Sequence, residues 1–264
     1  MFSLIDQLLR GSFTKREDLA AGRVEVPVRT LVTAAVLMGA LYGAFMGLYG
    51  VLRPENASAM QVLGSALKVP LLFLLTLIVT FPSLYVFSAL SNSTLRAPNT
   101  LRLLLVAITA NLTILASFGP VTGFFTLSTD SYPFMVLLNV AFFTVGGFVG
   151  LNFLRKSMMW ILETPMVRAA QPAAPPPTPG EGAGEVSLEP MSDAWIEARR
   201  AYQQAARARA VLSVWTVIYA VVGAQMGWIL RPFIGTPGLP FTWFRERDSN
   251  FFEAVLEAFV QLFQ

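Results

Sequence analysis

Long apolar blocks separated by short polar interruptions set the pattern of this chain. Five blocks approach or exceed the roughly 20 mostly apolar residues that a transmembrane helix needs: residues 30–52, 69–91, 101–127, 133–154 and 210–230. They are apolar on every face rather than along one stripe, which sets them apart from core helices of a soluble domain. The pattern predicts an all-α membrane protein: a bundle of five transmembrane helices with amphipathic terminal helices and a Pro-rich cytoplasmic linker.

The segments between the blocks fill in the organisation. Residues 1–29 form a cytoplasmic amphipathic segment in which Phe2, Ile5, Leu8 and Leu9 share one helical face. Asp6 and Gln7 interrupt it and no basic run precedes it, so the first block reads as an uncleaved anchor rather than a cleaved leader. Residues 30–154 carry the first four spans. Residues 155–192 read as the linker, with Pro172, Pro175, Pro176, Pro177 and Pro179 among glycines and glutamates; such a composition stays extended and buries no core. Residues 193–231 have no breaker and predict one helix, capped by Ser192, that runs from the cytoplasm into the fifth span. Residues 232–264 hold an aromatic stretch, Phe241, Trp243 and Phe244, and then an amphipathic helix after Ser249 or Asn250. Phe252, Val255, Leu256, Phe259 and Phe263 line one of its faces and Glu253 and Glu257 the other, as in helices that lie in a membrane interface.

Composition bears out the class. Hydrophobic residues make up 55% of the 264 and charged residues 13%, about half the charged share of an ordinary soluble domain. The distribution of the bases matters more than the net charge of +3, which is too small to argue for nucleic acid. With a cytoplasmic N-terminus, fourteen of the nineteen lysines and arginines fall on the cytoplasmic side. Arg53, Lys68, Arg231, Arg245 and Arg247 are the five on the other. The positive-inside rule therefore predicts a multi-pass protein of the inner (plasma) membrane with its N-terminus cytoplasmic and its C-terminus outside.

The first and fifth spans share a signature. Gly43-Ala44-Phe45-Met46-Gly47 precedes Leu52-Arg53-Pro54, and Gly223-Ala224-Gln225-Met226-Gly227 precedes Leu230-Arg231-Pro232. Gly43, Gly47, Gly223 and Gly227 make small-xxx-small faces, which let helix backbones approach closely. The expectation is that spans one and five pack on each other or occupy equivalent places. Arg53 and Arg231, with Trp243, are expected interface anchors that end or flank a span at the outer surface. Short amphipathic stretches, 57–67 and 251–263, follow the two signatures.

Candidate chemistry is sparse. The chain has no His and no Cys, so disulfides, thiolate nucleophiles, histidine-bound metals and histidine acid–base catalysis are excluded. The middle of each expected span lacks Asp, Glu, Lys and Arg, the groups that mark proton and ion pathways. No catalytic residues, cofactor or metal site are expected, and the chain reads as no enzyme. Asn111, Asn139 and Gln225 are the amides that would line a polar path, although amides and hydroxyls at depth are ordinary interhelical glue. Asp130 stands as a lone outer-loop acid. Pro82 and the pair Gly119-Pro120 are expected to kink or taper their helices, with Thr80 or Ser83 satisfying the carbonyl that Pro82 frees.

Five spans with this orientation resemble the Yip1-like group of polytopic membrane proteins. The stretches Gly64-Ser-Ala-Leu-Lys-Val-Pro-Leu-Leu-Phe-Leu-Leu-Thr-Leu and Gly223-Ala-Gln-Met-Gly-Trp-Ile-Leu-Arg-Pro-Phe-Ile-Gly look like an uncharacterised bacterial inner-membrane family. The likeness spans the five blocks and not the linker. It implies a membrane organiser or trafficking scaffold. The leading expectation is thus a non-enzymatic scaffold or assembly subunit. Its partners are the lipid bilayer and a membrane protein or a second copy of itself, with no nucleic acid. The alternative is a small transporter, channel or lipid-handling protein.

Overall fold

The computed structural model describes residues 27–53, 58–90, 97–169, 193–246 and 249–263. Every regular element among them is an α-helix. In chain order these are α1 (Val28–Val51), α2 (Ala59–Leu90), α3 (Ala97–Ser128), α4 (Tyr132–Ala169), α5 (Asp193–Ile229) and α6 (Phe251–Leu262). Segments within α1 to α4 are long and apolar enough to cross a membrane, so the chain is a multi-pass, all-helical membrane protein. The apolar part of α5, Ser213–Ile229, is shorter. The expected amphipathic segment at residues 1–26 and the linker at residues 170–192 lie outside the described residues.

Two boundaries differ from the sequence reading. The second span was expected to begin near residue 69, after a separate amphipathic stretch. Instead Ala59–Leu90 is one helix that carries Pro70 and Pro82 inside it. Proline removes one backbone donor but need not end a helix whose neighbours hold it in place. The fourth span continues as helix to Ala169, so residues 155–169 are not linker.

Helix neighbours form a ring in the order α5, α2, α1, α3, α4 and back to α5. Its axis is filled. Tyr42 of α1 meets Phe143 of α4 edge-on at 5.6 Å between ring centroids, and Phe73 of α2 stacks on Phe143 at 6.0 Å. Aromatic pairs at such separations add to the burial they already provide. Trp215 of α5 is 0% exposed and donates from Nε1 to Thr80 O at 3.3 Å and Ser83 Oγ at 3.2 Å, tying α5 to α2 beside Pro82. Ser83 itself donates to Thr80 O at 2.7 Å. The two expected donors therefore serve other carbonyls: Thr80 Oγ1 reaches Thr76 O at 2.7 Å and Ser83 reaches Thr80.

Glycines set the closest approaches. A Cβ built on Gly43 would sit 2.3 Å from Ser65 O and 2.8 Å from Ala66 Cα; one on Gly47 would sit 2.6 Å from Val62 Cα. The backbones of α1 and α2 are in direct contact there. On the far side of α1, Phe45 lies in a notch of α3, 2.4 Å from a Cβ on Gly119 and 3.0 Å from one on Gly123. Gly119-Pro120 therefore does not taper α3, which runs on to Ser128; the glycine makes room for a ring. Gly223 and Gly227 also face α2, at Thr76 (3.7 Å) and Leu72 (3.9 Å). Both glycine faces meet α2, Gly43 and Gly47 at residues 61–66 and Gly223 and Gly227 at Thr76 and Leu72; of the two arrangements expected for the first and fifth spans, the glycines show a shared partner rather than contact with each other.

The distances separate the two sites. Gly43→Ala should lower the melting temperature of the detergent-solubilised protein, since the neighbouring backbone has to retreat, at a cost of about 1–3 kcal/mol. Gly223→Ala should leave it unchanged or raise it, because the contact is ordinary and alanine is the better helix former by up to about 1 kcal/mol. Equal losses in both would refute this account of the α1–α2 seam.

Candidate functional site: a polar cap at one end of the bundle

One stripe of α2 carries Gln61, Ser65, Lys68, Leu72 and Thr76, at successive spacings of four, three, four and four residues. These spacings put all five on one helical face. All five are buried. The C-terminal half of the stripe receives α5 through Gly223 and Gly227. The N-terminal half receives the chain that leaves α5, beginning with a cis Arg231–Pro232 peptide. Lys68 Nζ donates to Pro232 O at 3.0 Å. Gln61 Nε2 donates to Phe233 O at 2.8 Å, and Ser65 Oγ also donates to Phe233 O. Ile234, 5% exposed, is pressed against Gly50 of α1, whose built Cβ would lie 3.1 Å from Ile234 O. Gly235 follows with φ +72°, a left-handed turn that glycine takes without strain.

Lys68 is the unexpected member. It was placed outside the membrane at the mouth of the second span. It lies within the apolar stretch Ala59–Val86 and is 2% exposed. Among the described residues its partners are a carbonyl and, at 5.5 Å, the ring of Phe244. An ammonium out of water is costly unless it is paired or hydrogen-bonded. The Pro232 carbonyl and the aromatic face take that part here, and Arg245 adds a second positive charge nearby.

The expected interface anchors are woven into the same cap. The guanidinium of Arg53 lies 4.7 Å from the Tyr49 ring centroid, donates to Asp130 and to Thr129 O, and approaches Thr126 O at 3.4 Å. Asp130 is therefore not a lone acid: it fastens the α3–α4 turn to the end of α1. The pair itself is worth about 0–1 kcal/mol, because the Asp130 side chain is 91% exposed. Tyr49 Oη adds a bond to Asp130 O at 2.7 Å. Arg231 stacks on Trp228 at 3.5 Å and donates to Glu246 O. Trp243 packs edge-on against Phe241 at 5.5 Å, and both rings cover Gly64 of α2. The aromatic stretch thus lies partly against the bundle.

α6 hangs from this cap. Trp228 Nε1 donates to Ser249 O at 2.6 Å. The Asn250 side chain accepts from Phe252 N and Glu253 N at 3.0 and 3.1 Å, a side-chain N-cap of the kind worth about 1 kcal/mol. Ala258 is buried, while Phe252, Leu256, Phe259 and Phe263 are exposed.

The polar path expected through Asn111, Asn139 and Gln225 is not assembled. Asn139 accepts from Tyr42 Oη at 2.7 Å and donates to Met135 O at 2.7 Å, so it joins α4 to α1. Asn111 sits in the α3–α4 seam against Gly146 and Gly150, about 10–16 Å further along α4 at 1.5 Å per residue. Gln225 lies on α5, half-buried. The two asparagines serve separate helix contacts, and the space between them and α5 holds the Tyr42, Phe73 and Phe143 rings. Among the described residues no group of three His, Cys, Asp or Glu is placed to hold a metal ion.

No family model, curated protein or solved structure matches this chain. Its chemistry must therefore be argued from its own residues.

Lys68 gave one sequence signal, its three- and seven-residue spacing from Ser65 and Gln61, which marks a polar helix face. The Pro232 carbonyl it meets gave none, because residues 230–245 have no periodicity.

Lys68→Met should loosen the cap. The substitution keeps most of the side-chain volume but leaves the Pro232 carbonyl without its donor, a loss of about 1–3 kcal/mol for a buried group. Trypsin should then cut after Arg245 several-fold faster than in the parent chain. An unchanged cleavage rate would show that the lysine does not hold the segment.

Proposed function

We propose that this protein is a non-enzymatic membrane scaffold or organising subunit, Yip1-like in architecture, that binds a membrane partner or a second copy of itself. In this reading α5 crosses the membrane as a fifth span, the N-terminus is cytoplasmic, and the cap and α6 lie on the outer face of the inner membrane. The observation that carries it is α6. This helix is fixed at its start by Trp228 and Asn250, yet its Phe252, Leu256, Phe259 and Phe263 side chains are exposed. A rigidly mounted apolar face of this kind suits a partner's helix or the membrane interface.

The interior supports the same reading. Tyr42, Phe73 and Phe143 occupy the bundle axis, and the hydroxyls of Thr76, Thr80 and Thr109 return to carbonyls of their own helices at 2.7 Å. The basic first half of α5, with Arg199, Arg200 and Arg207, offers a second docking element on the opposite side.

Photocrosslinking in native membranes tests the proposal. A crosslinker at Leu256 should give a discrete protein adduct that vanishes when Phe252 and Phe259 are both replaced by Ser. Deletion of residues 193–209 should weaken recovery of the same partner in mild detergent. Lipid adducts alone at Leu256, with no partner recovered by either chain, would overturn it.

A further inference from the structure

Beside the Lys68 bond, the cap contains a cleft. It is bounded by Tyr49, Gly50 and Arg53 at the end of α1, Ser58 and Gln61 at the start of α2, and the returning segment 235–241 with Arg245. It is a shallow, open cleft rather than an enclosed cavity. We propose that this cleft binds a phosphate group, and that the phosphate is that of an anionic phospholipid.

Three observations converge on an oxyanion. The lining has two guanidinium groups and no carboxylate. The Nε of Arg53 and the Nε of Arg245 are both buried without a hydrogen-bond partner, a state that is costly for a buried donor. Lys68 lies close enough to Arg245 for their charges to repel, so the cap concentrates positive charge that an anion would offset. Arg53 is partly committed, to Asp130 and to two carbonyls of the α3 end. Arg245 has no such tie to a carboxylate among the described residues. Guanidinium N–H groups held in a fixed fork match phosphate oxygens better than a point charge does. The turn around Gly235 and Gly238, at φ +72° and +73°, has no Cβ to keep a ligand away.

Depth selects the lipid over the free ion. α1 has 24 residues, about 36 Å at 1.5 Å each, and the hydrocarbon core is about 30 Å thick. Arg53, just beyond its end, therefore stands at headgroup level when α1 spans the bilayer. Leu239, Pro240 and Phe241 form an apolar rim on which the glycerol and first acyl carbons can rest. The inference does not depend on the scaffold reading.

The test is titration calorimetry on the full chain in a neutral maltoside detergent, with short-chain phosphatidic acid in one arm and inorganic phosphate in the other. Saturable binding of the phosphatidic acid, at least tenfold tighter than phosphate, is expected. Arg245→Gln should weaken it at least tenfold, and Arg245→Lys should recover part of the loss. Leu239→Trp narrows the mouth at a position 48% exposed, where the fold has little at stake, and should weaken binding as well; it serves if Arg245→Gln does not fold. Equal affinity in the two arms, lost in the variants, would keep the phosphate site and overturn the lipid assignment. No saturable binding in either arm, or binding indifferent to both positions, would overturn the site.

Discussion

The bond from Lys68 Nζ to the Pro232 carbonyl, 3.0 Å long, is the constraint on which the architecture of this end of the molecule rests. A lysine 2% exposed inside an apolar helix is tolerable only if something supplies oxygen. The chain after α5 supplies it, and to do so it keeps returning its backbone to α2 immediately after the helix ends. Once Pro232 is there, Phe233 O falls to Gln61 and Ser65, Ile234 falls on Gly50, and the segment that follows closes over the ends of α1 and α2. The cleft, the mounting of α6 and the stacking of Arg231 on Trp228 are all downstream of that return.

The same stripe of α2 explains why two distant stretches look so unusual in sequence. Residues 64–77 and 223–235 lie against each other. Running in opposite directions, they pair Thr76 with Gly223, Leu72 with Gly227, Lys68 with Pro232 and Ser65 with Phe233. Their shape and polarity are mutually determined, small residue against side chain at one end and donor against carbonyl at the other. The other edge of α2 is committed just as firmly, since Gly43 and Gly47 leave no space for even a methyl group.

Much of this fold was legible. Four of the apolar blocks are segments long enough to cross a membrane, because that signal is compositional and accumulates over some twenty residues. The continuous helix from Asp193 was readable from the lack of any breaker, and the α6 start from Asn250. Proximity was not legible. Gly43 and Gly223 look alike in the sequence, but whether two such faces meet each other or a third helix depends on ring order, which local pattern does not encode. The burial of Lys68 was not foreseen because the helix was expected to begin near residue 69, whereas it begins at Ala59 and holds Pro70 within it. Asp130 looked solitary because its partner is 77 residues away. Of the cap, the arginines and Trp243 could be named in advance; the carbonyls that organise it could not, since every residue has one.

The ring order has a consequence for biogenesis. α1, α2, α3 and α4 lie in the spatial order α2, α1, α3, α4, so once they have left the ribosome they form an open arc whose two free edges are the first hairpin's second arm and the second hairpin's second arm. α5 is made after all four and fits between those edges, with Trp215 and the two glycines on the α2 side. It closes the arc as a keystone does. Until it arrives, the Lys68 ammonium has no carbonyl from Pro232. Closing the ring and giving the lysine its partner are therefore a single event, carried by one stretch of chain.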